Sequence, residues 1–96
     1  MRILVASNST SKRTDYFIKA GRSLGADTCF VTYDELSAVL PDCRDTVVKL
    51  EPPVFREADF RKYNLLCEEY RSLLSRLADT DKSESVHFLN EPAAIL

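Results

Sequence analysis

The stretch Arg2-Ile3-Leu4-Val5-Ala6-Ser7-Asn8-Ser9-Thr10-Ser11-Lys12-Arg13 opens the chain and decides its fold class. Ile3 to Ala6 is a continuous apolar run rather than an alternating one. That is the pattern of a strand covered on both faces, so a strand is expected over residues 2 to 7. The run passes straight into a loop of small hydroxyl and amide side chains with two cations. Apolar strand, hydroxyl-rich turn and then helix is how an open α/β sheet begins. In such sheets ligands sit beyond the carboxyl ends of the strands, where this loop lies.

Working outward from that stretch, Thr14 to Leu24 has helical spacing. Phe17, Ile18, Ala20 with Gly21, and Leu24 are expected on one face, and Lys19, Arg22 and Ser23 on the other. Gly25 stands where a C-terminal glycine cap belongs. Cys29 to Tyr33 is β-branched and aromatic, the signature of a second strand. Asp34 is expected to cap a short helix over Glu35 to Leu40, ended by Pro41. Thr46 to Leu50 reads as a third strand, and Pro52-Pro53 enforces an extended turn after it.

A long helix is expected from roughly Glu57 to Ala78. Phe60, Tyr63, Leu66, Cys67, Tyr70, Leu74 and Leu77 recur there at steps of three and four. Asp79 to Ser85 is a polar loop, and Val86 to Leu89 is a fourth strand. Asn90-Glu91-Pro92 reads as a helix start, with Asn as the cap and Pro in the first turn. Alternating strands and helices imply a parallel sheet with right-handed crossovers. The expected fold is therefore α/β: a three-layer α/β/α sandwich on a four-stranded parallel sheet, Rossmann-like, with the first strand central. Ala93-Ala94-Ile95-Leu96 enters a helix and then stops, so the single domain of residues 1–96 is expected to be the N-terminal fragment of a longer chain.

Ninety-six residues suffice for one small core. The net charge of -2 argues against a nucleic-acid partner, since no basic field would drive counterion release. Cys29, Cys43 and Cys67 are odd in number, widely spaced and without a C-x-x-C. Reduced, packed thiols in a cytoplasmic protein fit them better than a disulfide framework or a zinc site. The N-terminal apolar run is too short for a secretory signal, and nothing approaches a membrane span.

Asn90-Glu91-Pro92-Ala93-Ala94-Ile95 resembles the strand-end motif Asn-x-Pro-x-x-Ile of ATP-grasp ligases, where it closes the N-terminal, pre-ATP-grasp domain. The opening Arg2-Ile3-Leu4-Val5 with its polar loop, the β-α order and Gly25-Ala26-Asp27 before the second strand also resemble that domain. The likeness covers essentially the whole chain. The sequence stops short of a further helix ending in Asp-Lys that relatives often carry. The resemblance implies a full-length enzyme that uses ATP and Mg to activate a carboxylate as an acyl-phosphate for attack by an amine or thiol. The lysines that hold ATP and the acidic metal ligands would lie in other domains, so no catalysis, catalytic residue or cofactor is expected of these residues themselves.

The best site candidates are Ser7, Asn8, Ser9, Thr10, Ser11 and Arg13, with Asn90. Hydroxyls and backbone N–H groups at a helix N-terminus can bind a carboxylate or phosphate. The plain alternative is that Ser9, Thr10 or Ser11 only caps the helix and the cations are solvated. Asn90 is expected to end a fourth strand lying beside the first and to face the same crevice as Asn8, or to be a helix cap. His87 lacks a partner at ligand spacing and reads as structural. Cys43 is expected in a loop, exposed. Glu68-Glu69 and Asp79/Asp81 read as solvated surface. Tyr63 and Tyr70 extend the apolar stripe either into the core or into a neighbouring domain or subunit, which leaves a homodimer open. Three functions remain: a substrate-site and scaffold domain of such a ligase; a Rossmann- or flavodoxin-like module holding a phosphate or nucleotide at Ser7 to Thr14; and a ligand-free interaction domain.

Overall fold

A computed structural model of the chain describes residues 1–54, 60–79 and 86–89. Strand β1 (Arg2–Ser7) is followed by helix α1 (Lys12–Ser23), β2 (Asp27–Thr32), α2 (Tyr33–Val39), a 3-10 turn at Leu40–Asp42, β3 (Thr46–Leu50), α3 (Phe60–Asp79) and β4 (Val86–Phe88). All strand pairs are parallel and the order is β2-β1-β3-β4. Leu4 stands opposite Cys29 on one side and Val48 on the other, so β1 is an inner strand with both edges paired. This is why its apolar run is unbroken: Leu4, Val5, Ala6 and Ser7 are all buried.

Side-chain alternation divides the strands between two layers. Leu4, Ala6, Val31, Val48 and Leu50 form one core with Tyr33 and Leu36 of α2 and Leu73, Leu74 and Leu77 of α3. On the other face α1 covers β1 and β2. Thr28 abuts Gly21 there, and Lys49 reaches the ring of Phe17. The result is the three-layer α/β/α arrangement expected, with α2 and α3 together on one side.

Local chemistry sets the helix ends, and in places moves them from the expected positions. Ser11 caps α1: its Oγ accepts from the Thr14 N–H at 3.2 Å, while Thr14 Oγ1 accepts from the Ser11 N–H at 2.7 Å. This reciprocal capping box starts the helix at Lys12, ahead of Thr14. At the far end Gly25 takes φ +84, the left-handed conformation suited to glycine. Leu24 precedes that reversal and is 87% exposed, so it is no part of the buried face. Thr14 and Gly21, with half-buried Phe17 and Ile18, make that face instead.

Helix α2 begins earlier than expected, with Tyr33 in its first turn. Thr32, not Asp34, is the cap: its Oγ1 accepts from the Glu35 N–H and donates to Glu35 Oε1. Cys43 is buried rather than exposed and donates its thiol to Val39 O at 3.2 Å. Strand β4 lies beside β3 and not beside β1, because β2 and β3 already occupy both edges of β1. Helix α3 extends through Asp79, taking in a residue expected in the following loop. Among its described side chains the buried ones, Leu73, Leu74 and Leu77, come from its C-terminal half, whereas Tyr63 is 47% exposed. Residues 57 to 59, the polar loop after Asp79 and the helix expected at Asn90 lie outside the described residues.

Gly21 fixes how closely α1 approaches the sheet, since a Cβ at that position would overlap Thr28 Oγ1. Alanine would ordinarily favour a helix by about 1 kcal/mol over glycine. Here overpacking outweighs that gain. Gly21→Ala is expected to lower the urea midpoint, with a net loss of about 1–2 kcal/mol. An unchanged or raised midpoint would show that Thr28 yields at no cost.

Candidate functional site

In a parallel sheet of this order the chain leaves β1 toward β2 on one side, while β3 sits on the other. The crevice between the ends of β1 and β3 is thus the topological switch point, where ligands bind in open α/β sheets. In this protein its own chain spans the crevice. The Asn8 amide grips the backbone of Val54 twice: Oδ1 accepts from the Val54 N–H at 2.6 Å and Nδ2 donates to Val54 O at 3.1 Å. Fully buried Ser7 lies within 3.2 Å of both Pro52 O and Asn8 Oδ1, either of which its hydroxyl can donate to. Tyr33 Oη donates to Glu51 O at 2.6 Å, and its ring stacks on Tyr70 with centroids 5.5 Å apart. These contacts staple residues 51–54 across the end of the sheet.

Among the described residues, two clefts flank the staple. The larger, about 600 Å³, lies between the strand ends at Asn8, Thr32 and Asp34 and the α3 side chains Leu66, Glu69 and Arg76. The smaller, about 340 Å³, is bordered by Arg13, Phe17, Lys49, Glu51 and Tyr70. Glu51 is its anchor, a carboxylate only 5% exposed. Lys49 Nζ stands 3.1 Å from Glu51 Oε1 and 4.2 Å from the centre of the Phe17 ring. The ammonium approaches off the hydrogen-bonding direction, so Oε1 is paired by charge and accepts no hydrogen bond from a described residue. Arg13 Nη1 stands 4.0 Å from Oε2.

Of the expected site residues, the structure brings Ser7, Asn8 and Arg13 to the sheet end. Ser7 and Asn8 act on the chain itself, and Ser11 caps α1. Ser9 donates weakly to Thr10 O at 3.4 Å. Asn90 lies outside the described residues. Glu69 belongs to a cleft wall, although its sequence context reads as plain surface. Lys49, Glu51 and Tyr33 were not signalled as site residues. One signal existed: Lys and Glu two apart in an extended chain share a face. His87 is exposed on β4, and no group of three or more His, Cys, Asp or Glu side chains among the described residues is placed to hold a metal.

Burial pushes the Tyr33 phenol well above the ordinary tyrosine range; a hydrogen bond with Ser7 opposes this, and the nearby Tyr70 and Glu51 add to it. Burial and the Glu51 carboxylate raise Tyr70 as well. Both phenols stay neutral at physiological pH, and Tyr33 keeps the proton that it donates to Glu51 O. No protein-family model, no curated protein and no solved structure matches the chain.

Asn8→Ala removes both bonds to Val54 and is expected to cost about 2 kcal/mol in urea unfolding, with faster amide exchange at Val54. Unaltered exchange there would mean that the staple is held by Ser7 and Tyr33 alone. The raised Tyr33 value also predicts an alkaline loss of stability. Its neutral form stabilises the fold fully below the unfolded phenol value near 10, and that contribution fades as the pH climbs toward the folded value. The urea midpoint should hold to about pH 9.5 and then fall, by up to about 1.4 kcal/mol per pH unit from this group. In Tyr33→Phe the fall should be shallower; an equally steep one would place the effect elsewhere.

Proposed function

We propose that this chain is a substrate-site and scaffold domain of the kind that opens an ATP-grasp ligase, which activates a carboxylate as an acyl-phosphate for attack by an amine or thiol. The observation that carries the proposal is the cleft of about 600 Å³ at the carboxyl ends of a four-stranded parallel sheet, walled on one side by α3. The stapled switch point beside it supports a rigid wall rather than a moving catalyst. The hydroxyls of Ser7 and Ser11 are taken up by Pro52 O or Asn8 Oδ1 and by the helix cap. This engagement favours a scaffold over a loop that wraps a phosphate.

In this reading ATP and Mg are held by other domains of a longer cytoplasmic protein, and the carboxylate substrate borders the Asn8 end of the cleft. No helix of the described residues is long and apolar enough to cross a membrane, and the acidic balance keeps nucleic acid away.

Intact mass of the native protein from its source cells tests this directly. A mass several times 10.9 kDa, with Mg-ATP binding by that protein, is expected. A native mass equal to these 96 residues would remove the ligase assignment.

A further inference from the structure

The smaller cleft has a chemistry of its own. Its floor is a buried carboxylate, yet two cations face that single negative charge. Lys49 is largely shielded and is fixed from two sides, by Glu51 and by the Phe17 ring. Arg13 is different. Its side chain is 69% exposed, and its approach to Glu51 at 4.0 Å exceeds hydrogen-bond length. Among the described residues no hydrogen bond engages its guanidinium, so toward them its donor fork is open. Among the described residues the arrangement carries one net positive charge, set beside the Phe17 and Tyr70 rings.

A buried carboxylate would be an odd base for a patch meant only to be solvated, because burying it is costly unless it positions something. Here it fixes Lys49 of β3 and faces Arg13 of the first turn of α1, so both cations border the same cleft. Arginine and lysine set this way offer a planar donor pair and a point charge, the combination that recognises an oxyanion. Phe17 and the neutral Tyr70 phenol supply walls for a small organic body.

The geometry points to an oxyanion-binding subsite in this cleft, formed by Arg13 and Lys49 on the buried Glu51, which takes the carboxylate or phosphate group of a small molecule. The subsite deepens the proposed substrate-site reading and rests on it for its role in a reaction, but not for binding itself. Glu51 positions the cations and does not touch the anion. The ligand occupies Arg13 donors that Glu51 leaves unused.

The test is an amide chemical-shift titration of the 96-residue chain with inorganic phosphate and, separately, with succinate, at constant ionic strength. Saturable shifts confined to residues around Arg13, Phe17, Lys49 and Glu51 are expected. Saturation by phosphate alone would identify a phosphate site, and by succinate alone a carboxylate site; either supports the subsite. Arg13→Gln, a change at an exposed position that leaves the core intact, should weaken binding about tenfold. Lys49→Met should weaken it at least as much, provided its spectrum remains that of the folded chain. Shifts that are absent, or non-saturating and scattered over all basic residues, or unchanged in Arg13→Gln, would overturn the inference. The two readings fail separately. Localised anion binding by a protein whose native mass equals this chain would leave the subsite standing without the ligase. A larger Mg-ATP-binding protein whose N-terminal domain ignores both anions would do the reverse.

Discussion

A strand has two edges, and on β1 both are taken. That constraint orders the rest of the molecule. The backbone groups of the buried residues Leu4 to Ala6 cannot reach water, so their hydrogen bonds must come from neighbouring strands. β2 supplies one set and β3 the other. Once β3 is in place the fourth strand can add only outside it, and the second and third helices share a face because both crossovers run the same way with the same hand. The switch point beside β1 is a by-product of this order.

What the chain does at that switch point is unusual for an open α/β sheet. A primary amide presents one donor and one acceptor in the same spacing as a peptide group. Asn8 uses both on Val54, so a side chain stands in for a strand just where pairing would otherwise stop. Ser7 and Tyr33 bind the carbonyls of Pro52 and Glu51 beside it. The chain after β3 is thus held along the sheet end, with a larger cleft toward α3 and a smaller, charged one toward α1.

Much of the architecture was legible because it depends on local pattern. The unbroken run of β1, the alternation in β3 and the glycine after α1 each carry their cause within a few residues. The errors have a common source in contacts that no short window contains. Tyr33 has strand propensity, but Thr32 is a good cap, and a phenol that finds Glu51 O across the sheet favours the helical choice. Leu24 has the helical spacing of a core residue, yet the helix ends before it can pack. Asn8 was visible as a polar residue at a strand end, the right place, but its partner lies 46 positions away. Glu51 gave the least notice: one acid before Pro-Pro looks solvated until Lys49 and Arg13 are seen to converge on it.

The all-parallel order also bears on how the chain comes to be made. β1 is made before either of its partners, and the second of them, ending at Leu50, is produced last of the three. At typical elongation rates of about 5–20 residues per second, the apolar run Ile3 to Ala6 waits on the order of seconds for both edges to be covered. Through that interval it is an unpaired, uncharged β-forming segment of a nascent chain, the sort of sequence that templates aggregation. Arg2 on one side and Lys12-Arg13 on the other flank the segment with charge. In the folded protein one of these cations faces a buried carboxylate; during synthesis all three serve as gatekeepers for the strand that must wait longest.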